Sequence, residues 1–270
     1  MMGAICSSPR RIYASEERFL DLVSSHDTRL CVLDRVQDKQ HAVELAAKSF
    51  CGTDATEPEG LFDWLLGSKF RGQYENEARL SVLRYSMEFA FEMCAMYGVN
   101  FGLRDPDTKK LIAVAMTRPP GSIKNGYADT YCTMMRAMWQ LRRLPPWEKD
   151  GVYGKFFSKR LFLMDKYLHE MHQKYAAGDH WFVNVIAVSP EAQGKRCCSA
   201  LMRHIIALAD IDKRPCYLEA VGARNEAVYT KFGYTEVFKH DVEGIEKLFG
   251  EDEEVQPLQL IAMRRCARMT

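Results

Sequence analysis

The stretch "HWFVNVIAVSPEAQGKRCCSALMRH", residues 180–204, decides how the rest of the chain is read. Its first half, "WFVNVIAV", is β-branched and aromatic, the composition of a buried strand. Pro190 removes a backbone donor just past that strand and frees its end from regular pairing. The chain then turns over Glu191 to Gly194 into a helix expected at 194–209, with Leu201, Ile205, Ile206 and Leu208 as its apolar residues. A strand feeding directly into a helix leaves about four backbone N–H groups without intrahelical partners, gathered at the positive end of the helix dipole. Such a place collects an anion, most often a phosphate. Gln193, Lys195 and Arg196 add side-chain donors and two positive charges to it.

Outward from this junction, hydrophobic periodicity predicts an α/β chain. Upstream, "RLCVLDRVQ" reads as a strand and "DKQHAVELAAKSF" as a helix with Asp38 as its cap. "LFDWLLG" reads as a short helix closed by Gly67, and residues 75–97 as a long apolar helix ending at Gly98. "VNFGLRD" and "KKLIAVAMTRP" flank the turn "DPDT" and predict an antiparallel hairpin. Downstream come the strand "CYLEAV", the helix "NEAVYTKF" and the strands "YTEVFKHDV" and "PLQLIAMRRC". Residues 119–179 interrupt this order with helical patterns near Ala128 to Arg143 and Tyr153 to Ala176. The expected organisation is an N-terminal extension over 1–27, with a short helix at Glu16 to Ser24, and one domain over 28–270 carrying a helical insertion at 119–179.

Composition narrows the function. Thirty-seven Lys plus Arg against thirty-six Asp plus Glu give a formal charge of +1, so no global field draws the chain to nucleic acid. Nine cysteines without CxxC or paired Cys/His spacing argue against a disulfide framework or a structural metal and for a reducing, cytoplasmic setting. No apolar run reaches the roughly 18 residues that cross a bilayer. Met2-Gly3-Ala4-Ile5-Cys6-Ser7 fits a myristoylation pattern beside a palmitoylatable cysteine, but Met1 would shield Gly3. Membrane attachment is therefore expected only if Gly3 is acylated, and the oligomeric state is left open.

The wording of two motifs is more specific than their geometry. "VSPEAQGKRCCSALM" resembles the coenzyme A loop of the GNAT superfamily of N-acetyltransferases, V-x-P-x-x-[QR]-G-x-G-x-[GA] followed by a helix. "LEAVGARNEAVYTKFGYTEV" resembles that family's next strand, helix and strand, and the pair is similar in particular to the puromycin acetyltransferase-like branch. The resemblance is specific over 180–239 and topological over 28–118. It implies a mixed, largely antiparallel sheet flanked by helices that binds acetyl-CoA as cosubstrate, without a metal.

Carried over residue by residue, the resemblance implies that the backbone of Ile186, Ala187 and Val188 pairs with the pantetheine arm. The amides of Gly194, Lys195, Arg196, Cys197, Cys198 and Ser199, with Gln193, would wrap the pyrophosphate. Arg196 and Cys198 depart from the pattern, standing where glycine or another small residue is usual. Asn225 would hydrogen-bond the coenzyme or cap its helix, and Tyr229 would protonate the leaving thiolate, since a phenol holds its proton at neutral pH. The implied reaction is direct transfer of an acetyl group to a primary amine, of a small molecule rather than a peptide. The competing reading is a noncatalytic acyl-CoA sensor or interaction protein, prompted by Arg196 and by the absence of a strand carboxylate. Relatives place a glutamate at the positions held here by Asn184 and Val185, so the general base is unassigned. His172, His180 or a carboxylate of the insertion could act through water, or a histidine could be ordinary surface or core. For the acceptor, two features offer themselves: the insertion's aromatic residues, as a wall or as their own small core, and the acidic segment "DVEGIEKLFGEDEEV", as a rim or as a solvated hairpin tip.

Overall fold

The computed structural model describes residues 27–52, 60–96, 99–122, 127–148, 151–153, 156–176, 178–242 and 258–268. The expected helix at Glu16 to Ser24, the Gly3 and Cys6 pattern, and the acidic segment beyond Val242 lie outside them. Among the described residues, seven strands form one sheet: β1 (Leu30–Val32), β2 (Asn100–Arg104), β3 (Leu111–Arg118), β4 (Trp181–Val188), β5 (Cys216–Val221), β6 (Thr235–Val242) and β7 (Leu258–Arg265). Their order is β1-β2-β3-β4-β5-β7-β6. Every neighbouring pair is antiparallel except β4 and β5. The expected mixed, largely antiparallel sheet flanked by helices is the architecture found.

Among the described residues, seven α-helices cover the two faces: α1 (Lys39–Cys51), α2 (Gly60–Leu66), α3 (Glu77–Ala95), α4 (Tyr127–Leu141), α5 (Phe157–Tyr175), α6 (Cys197–Ile211) and α7 (Gly222–Thr230). α1, α3 and α5 bury Val43, Leu83, Phe91 and Phe157 against one face, where Val114, Met116, Phe182 and Tyr217 point. α6 buries Leu201, Met202 and Ile205 against the other, where Ala113, Ala115, Val183 and Leu218 point. This alternation along the strands is the period-two pattern that a sheet with two packed faces requires.

Local details depart from expectation where side chains found better partners. Asp38 stands at the N-cap of α1 without capping it. Its carboxylate instead accepts from the Asp34 N–H and pairs with Arg104 at 2.6 Å. Asn76 caps α3, accepting from the Ala78 and Arg79 N–H groups. The first strand is three residues long, because Asp34 folds the chain into a turn by accepting from Val36 and Gln37. Within the insertion, Phe157 packs against both Trp147 and Tyr153, which in turn meet Tyr85 edge-on and Phe70 face-on in the main layer. These rings extend the principal core rather than form a separate one, while Tyr131 and Trp139 of α4 face solvent.

Candidate active site at the opening of the sheet

β4 and β5 are paired over three residues only, Trp181 to Val183 against Cys216 to Leu218, and then separate. The cause sits in β4. Against β3, Thr117 faces Val183 and Met116 faces Val185, so Asn184 is an extra residue, a β-bulge. A bulge bends its strand and increases the local twist, which turns the second half of β4 away from its parallel neighbour. Residues Ile186 to Val188 remain paired to β3, at Ala115, Val114 and Ala113. β5 remains paired to β7 as far as Val221. The facing edges, 184–188 on one side and 219–221 on the other, carry no strand partner, and such edges accept an extended amide chain.

Beyond β4, Pro190–Ala192 make one 3-10 turn and α6 starts at Cys197, three residues later than the spacing predicts. The delay has a backbone reason: Gly194 has φ +77° and Arg196 φ +61°. A Cβ at Gly194 would meet nothing within 4 Å, so the dihedral and not the space calls for glycine there. Arg196 adopts the same left-handed region with a side chain, at a cost of about 1 kcal/mol. The Gln193 and Lys195 N–H groups are spent within the turn, on Pro190 and Ala192 carbonyls. Among the described residues, no backbone carbonyl accepts from Gly194, Arg196, Cys197, Cys198 or Ser199. Five amides without a backbone partner and the exposed Gln193, Lys195 and Arg196 side chains therefore lie together in sequence at the positive end of α6. Burial pushes the Cys197 thiol up and the Cys198 thiol up to about 11, so both sulfurs stay protonated.

Tyr229 is half-buried on the α6 side of the sheet, packed into the layer that also receives Ile186, Val188 and Cys198. Its ring lies 6.1 Å from that of Tyr234, tilted by 58°. Asn225 is not a cap: α7 begins three residues earlier, and its Nδ2 donates to the Val221 carbonyl at 3.0 Å. That bond ties the end of β5 to α7.

On the opposite side of the sheet the structure assembles residues that lie far apart in sequence. Glu219 follows Leu218, the last β5 residue paired to β4, and in register stands across the opening from the bulge at Asn184. Burial pushes its carboxyl up to about 8, and a hydrogen bond from the Tyr217 hydroxyl at 3.1 Å offsets only part of that. His172 of α5 places Nδ1 at 3.8 Å from Glu219 Oε1, and its Nε2 lies 3.2 Å from Nε2 of His180. His172 is held neutral, its pKa driven down to about 3 by burial first and then by His180, Arg118 and His169. His180 is lowered too, mainly by burial. Neither histidine is the surface residue that the sequence allowed. Glu219 was missed although a signal existed: in "CYLEAV" the alternation puts Tyr217, Glu219 and Val221 on one packed face, where a carboxylate is unusual. Among the described residues no group of three or more His, Cys, Asp or Glu is arranged to hold a metal ion, and no helix is long and apolar enough to cross a membrane.

No family model matches the sequence, and no curated protein matches it. Solved structures do match in three dimensions. The C-terminal condensation domain of Ebony, solved with β-alanyl-dopamine, superposes with a TM-score of 0.54 at 12% identity, covering 88% of this chain and 98% of that one. Arylalkylamine N-acetyltransferase 2 from Aedes aegypti gives 0.51 at 14% identity, over 89% and 99%. A histone acetyltransferase HPA2 and related acetyltransferase from Corynebacterium glutamicum gives 0.50 at 17%, over 89% and 97%. At such identities the likeness is one of fold, and the fold is the GNAT-like one that the two motifs implied.

Proposed function

We propose that the chain is an acetyl-CoA-dependent N-acetyltransferase acting on a primary amine of a small molecule. The observation that carries this is the opening between β4 and β5 placed directly before a turn with five unclaimed amides. An extended pantetheine arm suits the free edge of Ile186 to Val188, and a pyrophosphate suits the amides of Gly194 and Arg196 to Ser199. Lys195 and Arg196 supply charge, and Asn225 and Gln193 stand at the borders of the same site. When bound, acetyl-CoA supplies the activated acyl group, and everything else falls to side chains of this chain.

The amine must attack as the free base. Glu219, with its pKa near 8, takes the amine proton as the nitrogen bonds to the acyl carbon and the carbon–sulfur bond breaks. Tyr229, on the other side of the sheet, gives its phenolic proton to the departing thiolate. Acid and base thus stand on opposite faces of one opening. Direct attack is supported by the protonated state of Cys197 and Cys198, since a thiol is a poor acyl acceptor.

A small acceptor is supported by the surroundings of Glu219. His172, Phe182 and Tyr217 pack ring to ring at 4.7 and 5.1 Å, and α5 lies across β6 and β7, with Tyr175 stacked on Phe238 at 4.6 Å. A long side chain on a folded protein would have to pass this cover. Of the fold neighbours, one is named for arylalkylamines and one was solved with β-alanyl-dopamine, which agrees with a small amine. The narrower likeness to puromycin acetyltransferases rests on the sequence motifs alone. Incubation with acetyl-CoA and a panel of primary amines, followed by thiol release and mass spectrometry of the products, tests the proposal. Acetylated product with matched thiol release is expected, and coenzyme binding without product for any amine would favour the sensor reading.

A further inference from the structure

We infer that His172 and His180 form a proton relay that carries the amine proton from Glu219 towards the protein surface at Gly178. The inference rests on Glu219 being the base of the reaction proposed above.

The direction of the relay follows from its hydrogen bonds. His180 Nδ1 lies 2.7 Å from the Gly178 carbonyl oxygen, which can only accept, so Nδ1 carries the proton. In a neutral ring Nε2 then holds a lone pair. His172 Nε2, 3.2 Å away, must therefore be the donor of that contact. This leaves the lone pair of His172 on Nδ1, the atom 3.8 Å from Glu219 Oε1. A small rotation of either side chain closes that step. A single tautomer assignment thus lines the two rings up between the carboxyl and exposed Gly178, with the 3.8 Å step at Glu219 as the gap to be closed.

Burial lowers both rings, so each holds a proton less tightly than Glu219 and it is loss of the proton to solvent that draws the transfer forward; the charges around the rings only rank the two as carriers. His172 faces Arg118 from β3, His169 one turn back on α5, and His180, all of which disfavour a positive charge on it. His180 faces Arg118 and Arg264 of β7, but also the Asp179 carboxylate and the Gly178 carbonyl, which favour one. The proton therefore passes through His172 and rests, if anywhere, on His180. In the transfer, protonated Glu219 gives its proton to His172 Nδ1 as the His172 Nε2 proton moves to His180 Nε2. The products are a carboxylate, a neutral His172 and a His180 imidazolium. His180 then loses its Nδ1 proton to solvent, and each ring regains its first tautomer by turning over and exchanging protons with solvent, since running the chain backwards would return the proton to Glu219.

Packing alone asks only that two flat rings fill the space under α5, and it fixes neither tautomer nor proton traffic. Nitrogen-15 NMR of histidine-labelled wild-type protein reads the tautomers without any assay of turnover. The relay requires His180 protonated on Nδ1 and His172 on Nε2; the reverse tautomers in either ring overturn it. In the acetyl-transfer assay, His172→Gln should lower kcat about tenfold or more while leaving both KM values in place. Added imidazole should restore part of that loss, and the inflection of the pH profile set by Glu219 should stay near its wild-type position. Wild-type kcat in His172→Gln would overturn the relay even with the tautomers as assigned. If the wild-type protein transfers no acetyl group to any amine, the functional reading fails and the relay falls with it, whereas turnover in a protein with the reverse tautomers overturns the relay alone.

Discussion

The two walls of the opening between β4 and β5 are made of different material. The wall of β4, its turn and α6 is backbone: free strand edges and amides aimed by Gly194 and Arg196 at the end of a helix. The wall of β5 and α5 is side chain: Glu219, Tyr217, His172 and His180, drawn from β5, α5 and the residue before β4 into one largely buried cluster. A backbone wall tolerates substitution because its chemistry belongs to every residue, whereas a side-chain wall depends on single atoms. If the division holds, changes on the β5 side remove turnover and leave coenzyme binding, and changes on the β4 side do little to either.

The largest effect is expected at Glu219. Glu219→Gln should lower turnover about a thousandfold with acetyl-CoA affinity retained, and wild-type turnover should climb with pH through about 8 as the carboxylate forms. The same substitution has a stability signature of known sign. The folded state keeps the Glu219 proton to about pH 8, and an unfolded chain loses it near 4.5, so this group's contribution to stability declines as pH rises between those values. The melting temperature of Glu219→Gln should therefore exceed that of the wild type at pH 8, with the gap closing by pH 5 in scanning calorimetry. Next, Tyr229→Phe should cost about a hundredfold in turnover with unchanged coenzyme affinity by titration. Equal loss of binding would place Tyr229 in the packing of the α6 layer instead. A smaller change is expected at Arg196. Arg196→Gly should stabilise the fold by about 1 kcal/mol in chemical denaturation, by relieving the left-handed backbone, and should alter coenzyme affinity less than removal of Glu219 alters turnover. Smallest of all, Cys198→Ala should leave turnover where it is, and a large loss there would contradict direct transfer.

The same division explains how much of the molecule was legible. β4, the hairpin of β2 and β3, β5 and the strong helices follow from alternation and turn chemistry that act within a few residues. The backbone wall was legible too, because a strand, a proline and a glycine turn lie consecutively over 181–196. The bulge at Asn184 was not: it is a register fact between β3 and β4, and "WFVNVIAV" reads as an even strand without it. Glu219 was hidden for the same kind of reason. Its neighbours Tyr217 and Asn184 lie on two strands, and His172 arrives from α5 of the insertion, which no local pattern connects to β5. Asp38 and Asn225 show how a favourable local role, the helix cap, yields to a partner outside the segment or to a shifted helix start.

Calorimetric titration of the purified protein with acetyl-CoA tests the central claim most directly, since both walls matter only if the opening and the turn hold the coenzyme. Saturable one-to-one binding is the predicted result, retained in Glu219→Gln and Tyr229→Phe. Absence of binding at millimolar acetyl-CoA would contradict the account, leaving a GNAT-like fold whose opening serves some other partner.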